Sequence, residues 1–144
     1  MQYAPVLLWI GVIFFLSSPE GSFDQTSLII GPLLHFFYPQ ISPDLEAQIH
    51  HIVRKCAHFT EYAVLAFFAV RAFSKSASAF IEQRRYVFAL VLIMTIASLD
   101  EFNQSFEPSR TSSVWDVLLD ISGGLGMIAA LILFRKSPPP VSGR

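Results

Sequence analysis

The sequence has a single cysteine and few charged residues. Both features limit the classes of protein to which the chain can belong. With Cys56 alone, the 144-residue chain can form no disulfide within itself and no zinc site of the CxxC kind. Charged residues make up 15% of the chain, against roughly a quarter in soluble domains. The net charge of −1 and the scattered basic residues predict no nucleic-acid binding. Nothing in the sequence indicates a cofactor.

Apolar residues dominate instead: 53% of the chain is hydrophobic, and the mean hydropathy is +0.51. This composition predicts an integral membrane protein with an all-α fold, a four-helix transmembrane bundle. We expect one domain over residues 1–136, followed by a disordered Pro-rich cytoplasmic tail over 137–144. The four predicted spans cover about residues 3–17, 57–73, 86–100 and 114–134.

The first apolar stretch, of about 14 residues, is short for a full span of roughly 20 residues. A secretory signal peptide is the alternative interpretation. The first two residues carry no Lys or Arg, however, and no small-x-small cleavage site follows, which favours a retained helix. Whether this helix crosses the whole bilayer is left open by the sequence.

An extended outer segment precedes the second span. Within it, Ser42, Pro43 and the acids Asp44 and Glu46 are typical of a helix start. Apolar residues then recur at helical spacing. The pattern allows one long helix from residue 43 to residue 73, and equally a break near Arg54.

Charges in the loops predict the orientation. Residues 74–85 carry Lys75, Arg84 and Arg85, whereas residues 19–55 hold four acids and only two bases, both at the far end. Because cytoplasmic loops are rich in Lys and Arg, we expect loop 74–85 and both termini in the cytoplasm. The acidic loops then lie outside.

Polar and ionisable residues line helical faces beside the apolar runs. Such groups cost several kcal/mol in hydrocarbon unless they face a partner or water, so within a membrane they indicate a site. The predicted orientation brings all of them to the outer end of the bundle, where a shared pocket is expected. The members are Ser17, Ser18, Lys55, His58, Glu61, Asp100, Glu101, Gln104, Arg110, Asp116 and Asp120.

These residues also carry a family resemblance. Residues 55–62 read KCAHFTEY, residues 100–110 read DEFNQSFEPSR, and residues 116–124 read DVLLDISGG. Together with Ser17-Ser18 they resemble the VanZ-like family, over about residues 7–134. Ser109 stands where that family usually has glycine, and Asp120 where asparagine is common. The resemblance implies a multi-pass protein of the bacterial inner membrane, in a family whose founding member is associated with teicoplanin resistance.

One hypothesis is an enzyme or binder of a lipid-linked, anionic envelope molecule, such as a cell-wall precursor, or of an acylated glycopeptide. Membrane lipids are the other expected partners. Glu61, Asp100 and His58 are the predicted catalytic residues, the two carboxyls as acid and base. The predicted ligand-binding residues are Lys55, Gln104, Arg110, Asp116, Asp120 and Ser18. Arg110 suits a bidentate contact with phosphate or carboxylate.

The alternative hypothesis is a non-enzymatic structural or partner protein. Its polar groups would form an interhelical network that pairs Lys55 with Glu61, and Arg110 with Asp116 or Asp100. The acids exceed the bases in this set, so protons, a cation or further bases are needed. A divalent cation is a third hypothesis, with the ligands Asp100, Glu101, Asp116 and Asp120. The oligomeric state is open.

Overall fold

The computed structural model describes residues 2–18, 23–106 and 113–134, with side chains from residue 30 onward in the second range. The described chain is all-helical, which confirms the predicted class. The six helices are α1 (Ala4–Leu16), α2 (Phe23–Phe37), α3 (Pro43–Phe73), α4 (Ala79–Gln83), α5 (Arg85–Gln104) and α6 (Val114–Leu133).

Three of these helices, α3, α5 and α6, are long and apolar enough to cross a membrane. The apolar helix α1 has 13 residues, about 20 Å at 1.5 Å per residue, and is shorter than a full span. The structure therefore agrees with a membrane protein but not clearly with four equal spans. The predicted tail over 137–144 lies outside the described residues.

Helix α3 is continuous from Pro43 to Phe73, so the long-helix alternative is the one observed. Its N-cap is Ser42, whose side chain accepts a hydrogen bond of 3.3 Å from the N–H of Leu45. The predicted span over residues 57–73 is its second half. The first half, 14 residues or about 21 Å long, ends at Arg54 and Lys55, which contact α5 and α6.

Helix α2 was not predicted; its segment was expected only as part of the outer region. It packs against α3. Glu46 connects the two helices, with its carboxylate 3.3 Å from His35 and 3.8 Å from His50 on its own helix. Pro32 lies inside α2, where its ring interrupts the helical hydrogen bonds.

Two glycines set how closely α6 approaches its neighbours. A Cβ on Gly123 would lie 2.2 Å from the carbonyl oxygen of Phe59 on α3. A Cβ on Gly124 would lie 2.7 Å from the side chain of Ile93 on α5. Small residues at such positions let membrane helices pack backbone to backbone. Gly126, further along the same helix, is exposed.

Aromatic contacts mark one end of the bundle, where the Phe73 ring lies 6.1 Å from that of Tyr3 and 6.0 Å from that of Phe88. Counting from this end, His58 on α3 and Asp100 on α5 are each 15 residues away, about 22 Å along the helix. Asp120 on α6 is 13 residues away, about 20 Å. The polar residues of different helices therefore lie at one depth.

Candidate functional site

A small cleft of about 80 Å³ opens at this depth, between α3, α5 and α6. Nearly all of its lining is polar or charged. The lining residues are His51, Arg54, Lys55, His58, Glu101, Gln104, Asp116, Leu119 and Asp120. Most of the polar residues that the sequence singled out on these helices therefore share one cavity, and each helix contributes at least two of them.

Asp100 lies behind the cleft and is fully buried. Its Oδ2 accepts hydrogen bonds from the Ser17 hydroxyl at 2.8 Å and from the Gln104 amide at 3.1 Å. The Tyr62 hydroxyl is 3.5 Å from the same oxygen. These contacts hold the end of α1 against α3 and α5, and they fix the orientation of the carboxylate.

Gln104 also connects this buried centre to the cleft. Its side-chain oxygen accepts a hydrogen bond of 3.0 Å from the guanidinium of Arg54. Arg54 was not among the predicted ligand-binding residues, because an arginine near the interface commonly extends its head group into water. The helical spacing had nevertheless put it on the same arc as Lys55 and His58.

His58 and Asp120 form the floor of the cleft. The His58 Nδ1 lies 3.4 Å from the Asp120 Oδ1. The Asp120 side chain is 2% exposed and that of His58 is 15% exposed. The contact follows from the close approach of α6 to α3 at Gly123, which lies one turn after Asp120.

Lys55 and Asp116 form the mouth of the cleft, with the ammonium 3.5 Å from the carboxylate. Both side chains are partly exposed, 42% and 32% respectively. The sequence had offered Glu61 as the partner of Lys55. The observed partner is on α6, because the two helices face each other there.

Glu61 occupies a position close to the buried groups, outside the cleft lining. Its backbone carbonyl accepts a hydrogen bond of 2.8 Å from the Trp9 indole, which ties α1 to α3. Its carboxylate interacts electrostatically with His58, Asp100 and Asp120. Within the described part of the chain, its Oε2 is buried without a hydrogen-bond partner.

Glu101 closes the cleft near the start of α6. Its Oε1 accepts a hydrogen bond from the backbone N–H of Ser113, the N-cap residue of that helix. Ser113 in turn accepts from the N–H of Trp115 at 3.2 Å. A carboxylate at a helix N-terminus is favoured by the helix dipole. Glu101 therefore has a positional role at the junction of α5 and α6.

Of the predicted ligand-binding residues that the structure describes, Ser18 is not part of the cleft lining. The Ser18 hydroxyl donates to the carbonyl oxygen of Phe15, three residues earlier, at 2.6 Å, and the Ser17 hydroxyl donates to Asp100. The sequence pattern alone does not distinguish the two serines. Arg110 lies outside the described residues.

The arrangement can bind a small polar or anionic group. The Lys55 ammonium and the Arg54 guanidinium offer charged donors at the mouth, and His51 adds a third basic side chain to the lining. Of the three predicted catalytic residues, only His58 lines the cleft. Asp100 and Glu61 lie beside it.

Comparison with known proteins identifies the family of the chain but does not identify an activity. No curated protein and no solved structure matches the chain. A family model described as VanZ/LLP1 matches residues 3–135, nearly the whole sequence. The resemblance found in the sequence motifs is thereby confirmed. The chain belongs to the VanZ/LLP1 family.

Proposed function

We propose that this protein spans the bacterial inner membrane and binds the anionic head group of a lipid-linked envelope molecule at its outer face. The observation that carries the proposal is the charged cleft, whose walls come from α3, α5 and α6. A cleft at the end of apolar helices suits a ligand whose tail stays in lipid while its head group enters a polar cavity.

In this proposal α1 completes a bundle of four membrane helices. The loop of residues 74–85, with Lys75, Arg84 and Arg85, faces the cytoplasm together with both termini. The cleft then opens on the opposite, outer side. Cysteines placed singly at Ser76 and at Ser113 test this orientation: a membrane-impermeant maleimide should label only the second in intact cells, after Cys56 has been replaced by serine.

The contacts favour binding over acid–base chemistry. Arg54 and Lys55 stand at the mouth, where they can exchange their present partners for phosphate oxygens. Asp100 accepts hydrogen bonds from buried groups, which is typical of an orienting carboxylate. Catalysis by Glu61 and Asp100 together with His58 would extend the proposal from binding to a reaction. Detection of a reaction product would test that extension.

Native mass spectrometry of the detergent-purified protein with undecaprenyl phosphate tests the proposal. A neutral polyprenol of equal length is the matched ligand. We expect phosphate-dependent binding that Lys55→Gln weakens, whereas Lys75→Gln, at the opposite end of the bundle, leaves it unchanged. Equal binding of the two lipids, or equal loss in both variants, would reject the cleft as the head-group site.

A contribution to glycopeptide resistance is the finer part of the proposal, and the family membership motivates it. Expression of the chain in a susceptible Gram-positive host should raise the inhibitory concentration of teicoplanin more than that of vancomycin, which lacks the acyl tail. The Lys55→Gln variant, made at equal level in the membrane, should lose the effect. An unchanged teicoplanin response with the intact protein would remove resistance from the proposal.

A second candidate function is purely structural. The contacts of Lys55 with Asp116, and of His58 with Asp120, both join α3 to α6 and would fix the bundle without a ligand. In that case a variant should lose lipid binding only to the extent that it loses folded protein. Measuring thermal stability beside lipid binding in each variant separates the two functions.

A further inference from the structure

Three side chains at the floor of the cleft and directly behind it place potential metal ligands next to one another. One ligand atom each of His58, Asp100 and Asp120 lies within 4.8 Å of both others. Each comes from a different helix, and the residues are far apart in the sequence. Asp100 and Asp120 are 0% and 1% exposed, so this is an enclosed group rather than a solvated acidic patch.

The orientation of these side chains is the second, independent observation. Within the described ranges, Asp100 accepts hydrogen bonds on Oδ2 and none on Oδ1. Its Oδ1 is buried without a hydrogen-bond partner among the described residues, and the Asp120 Oδ1 and the His58 Nδ1 are buried 3.4 Å from each other. A metal ligand in a protein is commonly held by hydrogen bonds to its other atoms. Ser17 and Gln104 hold Asp100 in this way.

Charge balance also calls for a cation. Asp100, Asp120 and Glu61 bring three carboxyls together. Among the described residues, His58 is the basic side chain in contact with this group, and Arg54 acts on Asp120 electrostatically. An uncompensated buried carboxylate is costly, by several kcal/mol as an order of magnitude. A divalent ion would neutralise this charge without adding a further side chain.

The bases of the cleft already have other partners. Lys55 contacts Asp116 at the mouth, and Arg54 donates to Gln104. The four-acid set that the sequence suggested also differs from the observed group. In the structure Glu101 binds the N-terminus of α6 and Asp116 pairs with Lys55, so neither belongs to the buried group.

We propose that His58, Asp100 and Asp120 bind a divalent transition-metal ion, Zn²⁺ or Mn²⁺, with Glu61 beside it. Imidazole nitrogen with carboxylate oxygen suits these ions better than Ca²⁺ or Mg²⁺, which prefer oxygen alone. Ligands about 2.1 Å from a tetrahedral ion are roughly 3.4 Å apart. His58 and Asp120 already have this spacing, at 3.4 Å, and the other separations, at most 4.8 Å, need a contraction of up to about 1.4 Å.

The ion would face the cleft, because His58 and Asp120 line it. Its open coordination position would accept water or an anionic oxygen. The inference does not depend on the proposed lipid ligand, since metal binding is measured on the protein alone. If the lipid does not bind, the metal site can still be present. If the metal does not bind, the basic side chains at the mouth of the cleft can still bind the lipid head group.

The experiment uses the full chain purified in detergent, freed of metal with EDTA and dialysed against Zn²⁺, Mn²⁺ or Mg²⁺. Bound metal is measured by inductively coupled plasma mass spectrometry, and thermal unfolding is followed in parallel. We expect stoichiometric Zn²⁺ or Mn²⁺, little Mg²⁺, and a higher melting temperature with the bound ion. Absence of stoichiometric metal, or a preference for Mg²⁺, would overturn the proposal.

Matched variants locate the ion. His58→Gln and Asp120→Asn should weaken binding by 10-fold or more. His35→Gln on α2 and Asp44→Asn at the start of α3 change the same residue types away from the cleft, and should bind as the wild type does. Equal binding by all four variants would exclude this site.

The wild-type protein gives a test that does not depend on variant folding. Co²⁺ loaded into the metal-free chain should give visible absorption bands typical of low-coordinate nitrogen and oxygen ligands. Stoichiometric Zn²⁺ should displace them. A Co²⁺ spectrum identical to that of the hexaaqua ion would contradict the proposal even if the variants were unstable.

Discussion

The replacement of Gly123 by alanine tests how the site is built. The new Cβ would lie 2.2 Å from the carbonyl oxygen of Phe59 and 2.9 Å from its carbonyl carbon. Both atoms belong to the backbone of α3, so no side chain can rotate away to make room. Ordinary contact needs more than 1 Å of additional separation, and α6 must therefore move away from α3.

The expected cost follows from two opposing effects. Alanine favours a helix over glycine by about 1 kcal/mol where space is free. Overpacking a close contact costs about 1–3 kcal/mol or more. Because the obstacle here is backbone, we expect Gly123→Ala to lower the free energy of unfolding by about 2 kcal/mol net. The same movement should lengthen the 3.4 Å contact between His58 and Asp120.

Gly126 provides the matched control on the same helix. Its Cβ would lie 3.8 Å from the Phe59 ring, an ordinary contact, so Gly126→Ala should be neutral or slightly stabilising. Unfolding of both variants in mixed micelles, followed by circular dichroism at increasing SDS, measures the difference. Equal stability of the two variants would refute the close helix approach from which the site geometry is argued.

Three further substitutions should each weaken one contact that positions the site. Ser17→Ala removes the 2.8 Å hydrogen bond to buried Asp100 and should cost about 1–3 kcal/mol, measured by SDS unfolding. Trp9→Phe keeps the aromatic packing but loses the hydrogen bond to the Glu61 carbonyl, for about 1 kcal/mol in the same assay. Ser42→Ala removes the N-cap of α3, for about 1 kcal/mol or less, and should speed amide hydrogen exchange only in the first turns of that helix. A global rather than local increase in exchange would contradict this last expectation.

Sequence patterns predicted the helices best where a start signal and an apolar run agree. Ser42 with the following proline and acids marked the beginning of α3, and the structure has its N-cap there. Helix α2 was not predicted, because residues 23–37 contain no long apolar run and include Pro32. Its helix is stabilised by packing against α3, which a local pattern does not show.

The site was less predictable than the helices. Periodicity put Lys55 and His58 on one face of α3, and the structure brings that face to α6. It could not give the partners, since the rotation and depth of α6 are set by the contact at Gly123. Lys55 pairs with Asp116 rather than with Glu61 because α3 and α6 pack against each other, which the pattern within one helix does not show.

The close backbone packing of α3 and α6 and their buried polar pair occur at the same contact. In a bilayer, apolar side chains gain little by leaving lipid for one another, so close backbone approach contributes much of the association. The glycine that permits this approach lies one turn from Asp120, and the backbone atom it meets belongs to the residue after His58. Helix association in this chain therefore brings two ionisable side chains together in a buried position. A bulky residue at Gly123 would separate them, and a neutral pair at His58 and Asp120 would leave the packing intact. The two changes thus distinguish a fold-stabilising role of the polar group from a binding role.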